Sequence, residues 1–482
     1  MNLPPHRTRI VATLGPASNS PECIVRLIRA GLDVARLNFS HGDFASHTAC
    51  IRHIREAERI AGRQVAIMAD LPGPKMRLGE IDPEPVDLEA GQPFSLTTKP
   101  ITGNARRASV TFPQLPQVVK PGDHLFLNDG LIHLEVESVA PPQVHCRILV
   151  GGELRSRKGL NLPRIHLGIS AFTDRDREIL TFALQAGVDA VSQSFVAAAS
   201  DLHALRAVAQ ASGRSPLIIA KIERVDALDR LDEILAAADG LMVARGDLGV
   251  EVPIETIAVV QKQIIARANL VGKPVITATQ MLESMVHNRL PTRAEATDVA
   301  NAILDGTDAV MLSAESAMGR YPEEAVRMLA RIARVTEPER PITRLQDLRA
   351  ICHDHPASGR EEAVATVVEH ALAAVPCALV IAPTRTGATA RAIARFKPPI
   401  WTLAVTPDVS VAQGLRFSCG IHPMVEAEEP DDWGAWARHQ AAQLGVSGRF
   451  ALLVAGPSPR HPEAHHRIEF LPLDSTPSSS PT

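Results

Sequence analysis

Short apolar runs alternate along this chain with amphipathic stretches closed by Ala-Gly, Ser-Gly or Val-Gly pairs, the pattern of repeated βα units. It predicts strands at Arg9–Gly15, Asp33–Phe39, Ala66–Leu71, Ala190–Phe195, Leu217–Ile222, Gly240–Arg245, Pro274–Gln280 and Ala309–Glu315. Eight such units close a (β/α)8 TIM barrel. The gap between the third and fourth strands is far too long for a βα loop. Within it the pattern changes to Pro- and Gly-punctuated alternation, as in FSLTT, DHLFLND, LIHLEVESV and VHCRILV. This predicts a small β-barrel lid domain inserted over residues 77–169, leaving 1–76 and 170–346 to the α/β barrel. The last barrel helix is expected from Pro322 to about Glu337. Beyond a polar connection, CALVIAPTRTGATARAIARF and PIWTLAV read as strand, turn, helix, strand, which predicts a C-terminal α/β domain over 347–473. Residues 474–482, ending STPSSSPT, are expected to be a disordered tail on composition.

At 482 residues, 45% of them hydrophobic, the chain exceeds one ordinary domain and can bury a large core. Its formal net charge is −4, and its lysines and arginines form no basic block interleaved with aromatics, which argues against nucleic acid as a partner. The cysteines Cys23, Cys50, Cys146, Cys352, Cys377 and Cys419 have no metal-ligand spacing, and the opening MNLPPHRTRI has no apolar leader. A reduced, cytoplasmic protein with buried thiols is the expectation. The apolar run Ala371–Ala382 is too short to span a bilayer and is broken by Pro376, so no membrane partner is expected.

The chemistry sits where the predicted strands end, the face on which barrel active sites lie. Between Ile218 and Leu248, one strand delivers Lys221 and Glu223 and the next delivers Arg245 and Asp247. Adjacent strand ends would let Glu223 and Asp247 share one hard cation beside a lysine, equipment for phosphoryl transfer or enolate chemistry. Other strand ends carry Arg36, Asn38, Ser40 and His41; Asp70, Lys75 and Arg77; Thr279, Gln280 and Glu283; and Ser313 and Glu315. Salt bridges that only solvate a rim would not need to recur at the same end of so many strands. Each residue has a plainer alternative. Asp247 could cap the next helix, Thr279 could be an ordinary strand threonine, and a lone His41 is more often a satisfied polar residue. Glu283 could be a structural pair for Arg293 or Arg245, and Asp129 in an Asn-Asp-Gly turn needs no reason beyond the hairpin.

RIVATLGPAS, ARLNFSHG, GGELRSRKGLNLP, IIAKIE, MVARGDLG, ITATQMLESM and PTRAEATDVANAILDGTDAVMLSAES together resemble pyruvate kinase, with the motifs in family order from Arg7 to Tyr321. The resemblance implies phosphoryl transfer from phosphoenolpyruvate to ADP, giving pyruvate and ATP. It implies that Glu223 and Asp247 hold Mg2+ (or Mn2+), that Lys221 and Arg36 contact the phosphoryl group, and that the substrate carboxylate rests on Gly246 and Asp247. Thr279 would lie on the side where the enolate is protonated, with Ser313 and Glu315 ordering water there. Arg77 and Lys158, at the two hinges of the insert, would join Arg36 on the nucleotide phosphates. Asn38, Ser40, Asp70 and Leu71 would line a monovalent-cation site. Lys75 stands in DLPGPK, where many members have a glutamate, and this resembles the branch that works without K+. SAES departs from the usual Ser-Gly-Glu-Thr but keeps Ser313 and Glu315. Thr384, Thr386, Gly387 and Thr389 would cradle a phosphorylated effector, and a homotetramer is implied. The competing readings are a catalytically silent, metabolite-sensing relative and another Mg2+-dependent barrel enzyme acting on phosphoenolpyruvate or pyruvate.

Overall fold

A computed structural model of the chain describes residues 3–341, 344–352, 360–457 and 466–474. The tail expected at its end therefore lies, from residue 475 on, outside the described residues. Eight parallel strands close a barrel: Arg9–Thr13, Val34–Asn38, Ala66–Leu71, Ala190–Gln193, Leu217–Ile222, Gly240–Ala244, Val275–Ala278 and Ala309–Leu312. The third strand pairs directly with the fourth, Ala190 opposite Met68 and Gln193 opposite Leu71, although the whole insert separates them in sequence. Several strands stop short of their expected ends. Phe195, Thr279 and Gln280 have φ of +57°, +67° and +53°, which no β ladder accommodates, and the chain leaves the sixth strand directly into a helix, Arg245–Glu251.

Alternation sorts the barrel residues. Ile218, Ala220 and Ile222 join the outer core beneath the helices, whereas Ile219 joins a central cluster with Val11, Val34, Met68, Met242 and Ile276. Continuing the inward set by twos along each strand leads from Ile219 to Lys221, from Met68 to Asp70 and from Val34 to Arg36, so the apolar filling gives way to charge at the C-terminal mouth. At the opposite mouth the filling ends in a residue from outside the barrel, Phe417, which is fully buried within the central cluster. Short loops are fixed by local chemistry; Ser20, Thr173 and Thr292 each cap a barrel helix.

The insert holds a two-stranded sheet, Val86–Leu88 with Gly152–Leu154, and a six-stranded sheet whose edge strands are Leu160–Asn161 and Arg107–Ser109. The segment just past the third barrel strand joins those edges, because Arg77 bridges Gly159 and Leu78 bridges Val110. The insert thus closes on itself around its own core, which includes Phe94, Leu96, Leu125, Leu134 and Ile148. The C-terminal unit is a five-stranded sheet, parallel except for its last strand, Arg467–Pro472. The helix Leu345–Cys352 does not pack in that unit alone: Leu348 and Cys352 bury against Ala266 and Leu270 of a barrel helix. All six cysteines are free thiols. No helix among the described residues is long and apolar enough to cross a membrane.

Candidate active site

Lys221 is the hub of the barrel mouth. Its buried Nζ lies 2.8 Å from Glu223 Oε1, 2.7 Å from Ser194 Oγ and 3.4 Å from Asp70 Oδ1. Burial opposes its charge, but Asp70 and Glu223 outweigh that and hold its pKa above the usual lysine value. Asp70 also accepts from Arg36 Nε (3.2 Å) and from Ser192 Oγ (2.6 Å), while Arg36 Nη1 donates to Thr13 Oγ1 (2.7 Å). Burial alone would raise the Asp70 pKa. The cations Lys221 and Arg36 and the Ser192 hydrogen bond reverse this and keep it ionised well below the ordinary carboxylate range.

The other two carboxylates behave oppositely. Burial raises the Glu223 pKa to about 7, with Asp247 adding to the rise and Lys221 opposing it. Its second oxygen accepts from the Phe195 amide at 2.7 Å. Asp247 is also raised, by burial first, then by Asp129 and Asp70, against Lys221 and Lys75. Its carboxylate has no hydrogen-bond partner among the described residues. Two carboxylates whose burial opposes their charge, one raising the other's pKa and one with free oxygens, suit a hard divalent cation. Among the described residues no three His, Cys, Asp or Glu gather at a metal position. Two carboxylates, with substrate oxygens and water completing the shell, are the pattern for Mg2+ rather than for an all-protein cage.

Lys75 extends from the turn after the third strand and donates to Ser40 Oγ at 2.7 Å. Its pKa is lowered by burial and by Lys221 and Arg77, against the pull of Asp70 and Asp247. Asn38 Oδ1 accepts from the Ser40 amide at 3.0 Å, and Leu71 is fully buried. His41 is exposed overall, but partial desolvation of its ring, with Lys75, Arg77 and Arg36 nearby, lowers its pKa. Between the barrel and the insert lies a cleft of about 300 Å³. Lys75, Arg77 and Lys158 line it opposite Asp129 and Asp247. Asp129 forms the expected hairpin turn, with φ of +56°, and still faces this cleft.

The seventh and eighth strand ends arrange themselves differently from expectation. Thr279 Oγ1 donates to its neighbour Ala278 O (2.6 Å) and accepts from the Gly246 amide (2.8 Å). A substrate carboxylate at Gly246 would therefore share that amide with Thr279. A β-branched residue at positive φ costs about 1–3 kcal/mol, so the surroundings must impose this conformation. Glu315 is fully buried and spends one oxygen on the Leu282 amide (3.1 Å) and the other on the Ser313 amide (2.7 Å). It clamps two loops together. Arg245 pairs with Asp298 at 2.7 Å, not with Glu283; Glu283 lies near Glu315 and Glu295, and burial together with those two raises its pKa. The turn carrying Thr384, Thr386, Gly387 and Thr389 belongs to the C-terminal sheet and not to the mouth; Gly387, at φ +82°, donates to Thr384 Oγ1 at 2.9 Å. Sequence reasoning missed Thr13, Ser192 and Ser194. Their signal was polar residues at inward positions of strands otherwise filled with apolar side chains.

Fold and mouth together define a (β/α)8 barrel enzyme built to handle a compact polyanion, with cations from several strands converging beside the open carboxylate of Asp247. Residues 5–326 match the family description "Pyruvate kinase, barrel domain", and residues 362–461 match "Pyruvate kinase, alpha/beta domain". Over 424 residues the chain is 49% identical to a pyruvate kinase of Thermococcus litoralis, covering 88% of this chain and 89% of that one. It is 43% identical over 430 residues to pyruvate kinase 2 of Synechocystis, covering 88% and 72%. A crystal structure of a pyruvate kinase from Cryptosporidium parvum superposes with a TM-score of 0.88 at 36% identity, covering 97% of both chains. The chain belongs to the pyruvate kinase family. That family binds phosphoenolpyruvate and ADP and implies a divalent metal.

Proposed function

We propose that this chain transfers the phosphoryl group of phosphoenolpyruvate to ADP. A terminal oxygen of the ADP β-phosphate forms the new P–O bond as the enol P–O bond breaks, leaving ATP and the enolate of pyruvate, which takes a proton at its methylene carbon. The observation that carries the reading is Lys221 held by Asp70, Glu223 and Ser194 at the barrel mouth, next to the open carboxylate of Asp247. Lys221 supplies positive charge where the phosphoryl group and the enolate oxygen develop negative charge. Arg36 orients the phosphoryl group while Thr13 and Asp70 fix its guanidinium. Glu223 and Asp247 would hold Mg2+ or Mn2+; bound there, the metal supplies charge neutralisation for substrate oxygens. Arg77 and Lys158 reach the ADP phosphates from the insert, which excludes water as it closes. Thr279 lies on the protonation side.

Lys75 serves in place of K+. Its ammonium already bonds Ser40 and is drawn by Asp70 and Asp247, the groups that a monovalent cation would otherwise balance. The reading extends to a phosphorylated effector at Thr384–Thr389, a homotetramer and a cytoplasmic location, as in the family. The deciding assay measures pyruvate formation with and without ADP, Mg2+ and K+. Activity dependent on ADP and Mg2+ in K+-free buffer is expected, and Lys75→Glu should be impaired there and partly rescued by K+. Pyruvate formation without ADP would favour a different barrel chemistry, no activity a silent relative, and strong K+ activation of the unmodified chain would remove the Lys75 role.

A further inference from the structure

Arg245 begins the helix after the sixth strand and precedes Gly246 and Asp247, so its sequence position alone places it among the charged groups facing substrate. Its hydrogen bonds point elsewhere. Nε donates to Ala278 O (3.3 Å), and Nη2 donates to Thr279 O (2.8 Å) and Met281 Sδ (2.7 Å). Nη1 donates to both oxygens of Asp298 (2.8 and 2.7 Å) and to Gln261 Oε1 (3.4 Å). Every N–H direction of the planar fork is spent on the seventh strand end and the helices behind it. None remains for an anion.

What that fork grips is the strained segment of the mouth. Thr279 and Gln280 both hold positive φ, and the carbonyls of Ala278 and Thr279 that Arg245 binds flank the reversal. The next residue in the chain closes the loop from the other side, since the Gly246 amide donates to Thr279 Oγ1. Backbone and side chain of one dipeptide thus fix both the conformation of Thr279 and the direction of its hydroxyl. Asp298, on the helix Arg293–Leu304, anchors the guanidinium in turn.

We infer that Arg245 is a positioning residue for the protonation half of the reaction: it does not touch substrate but holds the Thr279 hydroxyl on the face where the enolate receives its proton. The inference rests on the assignment of Thr279 to that face. Loss of the grip lets Thr279 relax toward an ordinary β conformation and turns its hydroxyl away from the site. None of the Arg245 hydrogen bonds runs to Lys221, Glu223 or Asp247, so the groups assigned to the phosphoryl and the metal stay in place.

The test follows solvent-deuterium exchange into the methyl group of pyruvate by NMR, with Mg2+ and ATP present, beside steady-state turnover from phosphoenolpyruvate and ADP. Arg245→Gln should lose exchange and kcat on the order of 10²-fold, the scale of a misplaced group near the chemistry, with KM for phosphoenolpyruvate little changed. Adding Thr279→Ala to Arg245→Gln should cost no more, because both remove the same hydroxyl from the same place. Arg245→Lys, which keeps charge without the fork, should recover only part. If Arg245→Gln fails to fold, Asp298→Asn loosens the same guanidinium and should show a smaller loss with the same split between kcat and KM. Normal exchange in a folded Arg245→Gln whose Thr279→Ala counterpart is impaired would overturn this inference alone, as would losses that multiply in the double variant. Unimpaired exchange in Thr279→Ala by itself would overturn the Thr279 assignment and this inference with it.

Discussion

The two ends of the barrel both bury charge, and they use it in opposite ways. At the N-terminal end, Asp308 Oδ1 accepts from Lys397 Nζ (2.7 Å) and the Cys419 amide (2.8 Å), and Oδ2 accepts from the Val275 amide (3.1 Å). Arg9 pairs with Asp33 at 3.2 Å and donates to the carbonyls of Ser418 and Ile421. Phe417, from the same C-terminal unit, is buried in the central apolar cluster of the barrel. Each carboxylate oxygen of Asp308 and each nitrogen of the Arg9 guanidinium has a partner, and the result is a joint between the barrel and the C-terminal unit. At the C-terminal end, Asp247 has open oxygens and Glu223 is driven toward neutrality; Lys75, Arg77 and Lys158 line a cleft with Asp247, and Lys221 and Arg36 gather on Asp70. Burial of charge does not by itself mark a site. Capacity left unspent does.

Neutralising the open end should have the largest effect on activity. Glu223→Gln or Asp247→Asn removes a hard oxygen anion from a two-carboxylate cation site, so turnover at ordinary Mg2+ should fall to background while circular dichroism and melting temperature stay near the parent's or rise. Near-normal kcat in either variant would break the comparison, because the open carboxylates would then be as structural as Asp308. Lys221→Met comes next: turnover should drop on the order of 10² or more with phosphoenolpyruvate binding largely kept, since its charge acts on the reacting group. A binding defect with normal turnover, seen by substrate titration beside kcat, would reassign Lys221 to the ground state.

The open side of this contrast was legible in the sequence; the closed side was not. Short apolar runs alternating with amphipathic stretches located all eight strands, and motifs such as IIAKIE and MVARGDLG pointed to the mouth. The insert was readable from its change of pattern, although its closure through Arg77 and Leu78 depends on isolated bridges that leave no periodic trace. Ser192, Ser194 and Thr13 escaped notice because single hydroxyls in VSQSF and VATLG look like ordinary strand residues until the inward register is counted. The roles of Glu315 and Arg245 were hidden for a different reason. The partners of the Glu315 carboxylate are backbone amides, that of Leu282 on another loop, and two of the Arg245 partners are backbone carbonyls of that same loop, whose sequence does not encode where its backbone points. The N-terminal joint was illegible as well, since Lys397 and Phe417 meet the barrel only through tertiary packing.

The closed end should answer in stability rather than rate. Lys397→Met leaves the Asp308 carboxylate buried without its cation, and Asp308→Asn strands the ammonium; each should cost about 3–5 kcal/mol, the range for breaking one side of a buried pair. The double variant should regain part of that loss. Denaturant unfolding measures it, and kcat at a temperature where the variants remain folded should stay close to the parent's. A large loss of turnover with unchanged stability would mean that the joint transmits to the mouth.

The smallest effect is a pair of opposed pH slopes. Glu223, raised from 4.5 to about 7 by burial and by Asp247, keeps its proton in the folded metal-free protein where the unfolded chain has lost it. Its contribution is therefore fully present below pH 4.5 and is lost as pH rises through about 7. At the closed end, burial with Arg9, Arg416 and Arg63 lowers the His422 pKa from 6.5 to about 3. The folded protein there binds fewer protons than the unfolded one, so this contribution is present above pH 6.5 and is lost as pH falls toward about 3. Between pH 4.5 and 6.5 the two run against each other and flatten the parent's stability profile. Thermal unfolding across that window should show a more positive slope of stability against pH in Glu223→Gln than in the parent, and a more negative one in His422→Gln. Mg2+ favours the ionised carboxylate, so saturating metal should reproduce the Glu223→Gln slope in the parent and leave the histidine slope unchanged. If metal altered the slope of Glu223→Gln as strongly as that of the parent, the proton and the cation would not be competing for Glu223, and its separation from the saturated carboxylates of the other end would collapse.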